Sequence, residues 1–191
     1  MSILLYHGSP TGGIRTLQPF TADHGKPYVY FTTSDVSAAL YAARVIERPY
    51  YWVPYGYDAQ GRITYTEVWK NAFADVFSRK KGYLYCCEAD DKALLRFPTH
   101  QSLRLSQKAM SVSRADTIED LGDWFLRREQ EGRFVIQRYE TLTPAALSLW
   151  HGLVLEELKE SFSGGEVENA YTRFVQDKFP AVWERFQTEM Q

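Results

Sequence analysis

Apolar positions come in short bursts over the first half of the chain and in long helical stripes over the last third. Residues 3–6 form a four-residue apolar run, halted by "GSPTGG", which predicts a short buried strand ending in a turn. The turn-rich stretch "TLQPFTADHGKP" follows as a loop, and the β-branched and aromatic "YVYF" predicts a second strand. "TTSDVSAALYAAR" opens with capping hydroxyls and sets Val36, Ala39, Leu40 and Ala43 on one helical face. That stripe is the core side of a helix.

Further along, "YYWVPYGYDAQGRITYTEVW" predicts two strands around "DAQG", and "NAFADVFSRK" a short helix ending before Gly82. "GYLYCCEAD" predicts a strand and "LSQKAMSVSR" another. A helix is expected from Thr117 to about Glu131, with Asp120 completing a near capping box and Gly132 marking the exit. "RFVIQRYE" is the last expected strand. Thr143 before Pro144 announces a long helix carrying Leu147, Trp150, Val154 and Leu158. One more helical segment carries Phe174, Phe179, Trp183 and Phe186. Strands and helices mixed without a βαβ rhythm imply an α+β fold. The expected division is a domain over 1–140, with C-terminal helices over 141–191 packed on it.

Composition narrows the function classes. The 191 residues suffice for one ordinary domain with a helical annex, and 45% apolar against 24% charged residues is globular composition. A net charge of −2 argues against nonspecific nucleic-acid binding, which needs a basic surface. No apolar run reaches the length of a membrane span, so the expected setting is the cytoplasm, with no membrane partner. Cys86 and Cys87 are adjacent and point to opposite faces of a strand, which suits neither a disulfide nor a metal. They read as buried residues of a reducing compartment. Thirteen tyrosines supply rings that fit both cores and clefts.

The chemistry-bearing residues gather near the N-terminus. His7, Gly8 and Ser9 end the first strand, Tyr30 and Phe31 lie in the second, and Tyr41 follows Tyr30 by eleven residues on the helix. A neutral histidine can donate a ring N–H to a ribose hydroxyl. Gly8 lets a ligand amide approach the backbone, and two tyrosine rings can hold a cationic ring between them. The "HGS", "YF" and "AALY" motifs resemble the ADP-ribosyltransferase superfamily, in the branch of the diphtheria toxin and the poly(ADP-ribose) polymerases. The resemblance covers about the first 45 residues. It implies split mixed and antiparallel sheets flanked by helices, with NAD as substrate and mono-ADP-ribosyl transfer to an unidentified acceptor, a protein being one candidate. His7, Gly8, Ser9, Tyr30, Thr32 and Tyr41 would hold NAD, and His7 and Tyr30 would serve the reaction.

The third functional position of that family is a glutamate heading a later strand, where a carboxylate stabilises the oxocarbenium-like sugar. Element order puts Gln107, Lys108, Ala109 and Met110 there, with no acid among them. Gln107 can hydrogen-bond a hydroxyl but supplies no charge. Glu119, nearest in chain order, is the first substitute, followed by Asp116, Glu88 and Glu67. A nucleotide-binding module without turnover is the alternative to transfer, and a ligand-free interaction domain built on the aromatic C-terminal helices is a third reading. An RNA 2′-phosphotransferase would draw on His24 and Arg44 to bind a phosphate.

Overall fold

A computed structural model describes residues 2–21, 25–43, 54–97, 100–163 and 169–190. His24 and Arg44 lie outside them, as does the start of the "YYWVPYGY" stretch. The described residues form an α+β fold of antiparallel sheets and six α-helices. None of these helices is long and apolar enough to cross a membrane. Contacts divide the chain into two units, residues 1–44 with 76–134 and residues 45–75 with 135–191, so the expected 1–140 domain includes parts of both.

The first unit is built on a seven-stranded sheet. Its strands are β1 (Ser2–Ser9), β3 (Phe20–Thr21), β4 (Pro27–Thr32), β7 (Gly82–Asp90), β8 (Leu95–Phe97), β9 (His100–Ser106) and β11 (Arg114–Ile118). The order is β11-β7-β1-β4-β9-β8, with β3 added to β4. A small pair, β2 (Thr16–Leu17) and β10 (Met110–Ser111), lies beside it in the same unit. One face of the large sheet carries the alternating residues Leu5, Val29, Phe31, Tyr85 and Cys87, all at most 1% exposed. Helix α1 (Asp35–Ala39) covers the other face. Behind it, Phe77 meets Phe125 edge-on and Phe125 meets Phe134 at a tilt, each pair with centroids 4.8 Å apart. Burying each such ring contributes roughly 2–3 kcal/mol.

Several expectations change here. β1 extends past the apolar run to end at His7, Gly8 and Ser9, because β7 offers it a partner as far as Ser9↔Tyr83. The "TLQPFTADHGKP" loop contains β2 and β3. Ser34 caps α1, accepting from Ser37 N at 3.3 Å, but α1 tightens into a 3₁₀ turn at Leu40–Ala42. "LSQKAMSVSR" is not one strand: β9 ends at Ser106 and β10 starts at Met110. Thr117 lies in β11, paired with Tyr83, and does not begin a helix. Helix α3 (Leu121–Gln130) starts from Asp120, whose Oδ1 accepts from Asp123 N at 3.2 Å.

The second unit holds a three-stranded sheet, β12 (Phe134–Gln137), β6 (Ile63–Thr66) and β5 (Tyr55–Tyr57), with β5 and β6 forming the expected hairpin. Helix α2 (Ala72–Phe77) connects to the first unit. Helix α4 (Pro144–Ser163) runs as expected. Pro180 divides the last expected helix into α5 (Ala170–Lys178) and α6 (Pro180–Glu189), since it has no N–H to continue α5. Trp69 stands edge-on to Phe174 and Phe179, so these rings serve as core.

Candidate functional site

The large sheet has one weak seam. β1 pairs with β7 over eight registered positions, whereas β1 and β4 share a single one, Tyr6↔Thr32. Extending that register would set Gly8 opposite Tyr30, but the ladder stops. His7 takes over there: its Nδ1 lies 2.8 Å from the Tyr30 carbonyl oxygen. A carbonyl only accepts, so Nδ1 carries the proton and a neutral ring keeps Nε2 as an acceptor. The expected donation to a ribose hydroxyl is thus reversed, and the hydroxyl would donate to Nε2. Burial lowers the His7 pKa and the Tyr30 hydrogen bond opposes this, with no charged side chain among the described residues contributing. The ring is neutral at pH 7.

Strand alternation separates the two residues expected to work together. The His7 ring lies on the Phe31 side of the sheet, at 6.2 Å between centroids. The Tyr30 ring leaves the opposite face, where it meets Phe20 at 5.5 Å and Tyr28 at 6.3 Å. A ligand touching both must sit in the seam itself. Tyr41 is 55% exposed on the 3₁₀ turn after α1.

Gly8 has a different reason from the expected one. A Cβ there would stand 1.8 Å from the Ala38 carbonyl oxygen and 3.1 Å from Ala42 N. The glycine is required by close packing of α1 and its 3₁₀ extension on β1. Ser9 and Thr32 are buried and serve local turns, Ser9 Oγ accepting from Thr11 N and Thr32 Oγ1 from Ser34 N, both at 3.1 Å.

Neither residue ranked for the third position reaches the seam. Gln107 lies exposed past the end of β9, beyond the Val29↔Ser106 pair, on the order of 15 Å from His7 by strand spacing. Glu119 is in the turn after β11 rather than inside a helix, 76% exposed and paired with Lys81 at 3.0 Å. Continuing its strand register also sets it on the order of 15 Å from His7. Asp116 pairs with Arg114 at 3.0 Å, and Glu88 is exposed opposite Leu4, toward the start of β1. Glu67 belongs to the second unit, where its two oxygens accept from Phe73 N at 3.0 Å and Tyr139 N at 3.2 Å. It is a buried structural acid.

The second unit also has a groove of about 340 Å³ between α4 and α6, lined by Leu147, His151, Leu155, Val182 and Arg185 among others. None of the expected site residues lines it. Sequence reasoning had not singled out Phe20 and Tyr28. Tyr28 was legible, two residues before Tyr30 in one strand and therefore on the same face. Phe20 was not, because a two-residue strand in a turn-rich segment leaves no alternation to read.

No protein-family model matches the chain, and no curated protein or solved structure matches it either.

Proposed function

We propose that the first unit is an ADP-ribosyltransferase-like domain that binds NAD, or a closely related nucleotide, at the seam between β1 and β4 without transferring ADP-ribose. The observation that carries the reading is the interrupted ladder at His7. A strand pair stops after one position, a neutral histidine with a fixed tautomer occupies the gap, and its second nitrogen is left to accept from a ligand hydroxyl. The "HGS" and "YF" motifs and the eleven-residue interval from Tyr30 to Tyr41 support the choice of a nicotinamide nucleotide. The charges support silence in transfer: no charged side chain among the described residues acts on His7, and Asp35, whose carboxylate acts on Tyr6, is held by Arg133 and Arg128.

The test is incubation with NAD labelled in its adenylate half, followed by chromatography for free nicotinamide and by gel for labelled protein. Retention of intact NAD on the protein with no nicotinamide release is expected. Nicotinamide release, or label on an acceptor in cell extract, would establish a transferase instead. Absence of NAD retention would remove the nucleotide reading.

A further inference from the structure

Tyr85 has a task that core packing does not explain. It is registered opposite His7 across β1 and β7, so both side chains rise from the same face of the sheet. The ring is wholly buried, yet its hydroxyl serves neither strand. It donates to the Thr11 carbonyl oxygen at 2.7 Å and accepts from Ile14 N at 3.3 Å. Both partners belong to the segment between β1 and β2, which leaves the sheet at Ser9 and doubles back over this face.

Residues 10–14 form a strap here. Ser9 Oγ holds its start through Thr11 N, and past its end the Arg15 carbonyl oxygen accepts from Val112 N at 3.0 Å. Between these points Gly12 lies against Tyr83, where a Cβ would stand 2.6 Å from the ring. Tyr83 in turn stacks with Tyr85, their centroids 6.4 Å apart. Gly13 turns at φ +78°, with nothing within 4 Å of the place its Cβ would take. Pro10, Thr11, Gly12 and Gly13 are exposed, so the strap is an outer layer over the buried Tyr85.

We propose that this strap is a gate over His7 and that the Tyr85 hydroxyl is its latch. The strap springs from β1 two residues after His7, and the latch stands beside His7 in register. The His7 ring is half-buried, and Nε2 is the nitrogen left to a ligand. Phe31 flanks that ring on the β4 side, and the strap lies on the β7 side, over Tyr83 and Tyr85. Releasing the two hydrogen bonds lets the strap lift about its glycines and opens the β7 side to a ligand. As a gate for a nucleotide this rests on the nucleotide reading of the seam. As a cover of His7 it does not.

Diethyl pyrocarbonate, which acylates an unprotonated imidazole nitrogen, tests the cover without any nucleotide. Rates at His7 and His151 are read by peptide mass spectrometry at pH 7.5 in the wild type, Tyr85→Phe and Gly12→Val, the last wedging the strap off Tyr83. Loss of two hydrogen bonds in Tyr85→Phe should raise the open fraction, and with it the His7 rate, about tenfold or more. His151, half-buried in the second unit, should keep its wild-type rate, since it reports only general loosening. Gly12→Val should accelerate His7 in the same way, and it stands in for Tyr85→Phe if that variant does not fold. The gate is overturned if either folded variant leaves the His7 rate as in the wild type, or if His7 and His151 accelerate alike. Saturating NAD added to the wild type separates the two readings. Slower acylation of His7 supports a nucleotide behind the gate, while no protection, with the latch effect intact, sinks the seam and leaves the gate standing.

Discussion

Two residues of the N-terminal motif carry the structural consequences. Gly8 is fixed by backbone meeting backbone, and neither the Ala38 carbonyl nor β1 can yield without displacing α1. Gly8→Ala should therefore cost roughly 3 kcal/mol or more, read as a lower midpoint in urea unfolding, or should prevent folding. A cost below about 1 kcal/mol would mean that α1 does not pack this closely. His7 makes stability depend on pH. Its folded pKa lies below the ordinary histidine value, so between the two the unfolded chain binds more protons. Its contribution is complete above about pH 6.5 and is lost as the pH falls toward the folded pKa. His151, also lowered by burial, acts in the same direction, while Glu157, raised by burial and by Glu160, acts in the opposite one. The isolating comparison is the melting temperature at pH 7.5 and 5.5 in the wild type and His7→Asn. The acid-induced fall should be smaller in the variant.

At the scale of elements, the start of α3 separates two local readings. Asp120 accepts from Asp123 N with one oxygen and from Arg79 N with the other, while Thr117 is an exposed strand residue. Asp120→Ala should lower stability by about 1–2 kcal/mol and Thr117→Ala by well under 1 kcal/mol, both read by urea unfolding. The reverse ranking would restore a helix beginning at Thr117. This element shows where the sequence was ambiguous: "TIED" contains two plausible caps, and only pairing of Thr117 with Tyr83 on β7 decides between them. Elements with strong local signals were legible, among them α4 behind Thr143-Pro144, the "DAQG" hairpin and the Ser34 cap of α1. Elements made by partners were not. β2 and β3 are two residues each, and the break between β9 and β10 depends on β10 pairing with β2 rather than continuing a strand. The site divided in the same way. His7, Gly8, Tyr30 and Tyr41 stood out by type and spacing, whereas the single-bridge seam and the opposite faces of His7 and Tyr30 follow from register.

Across the whole molecule, the acids weighed for catalysis stand apart from His7. The two strands of the seam, β1 and β4, carry no aspartate or glutamate, while the acids weighed for catalysis are engaged elsewhere or exposed away from His7. Glu67 shows this most clearly, since both its oxygens hold backbone N–H groups of the second unit. The proposed site is a nucleotide grip without a catalytic carboxylate, in which His7 holds the ligand. Calorimetric titration of NAD into the wild type and His7→Ala at pH 7.5 addresses that claim most directly. The account predicts binding at one site per chain in the wild type and about tenfold or greater weakening in His7→Ala, as expected for a lost buried hydrogen bond. Equal affinities in the two proteins, or no heat of binding in the wild type, would contradict it.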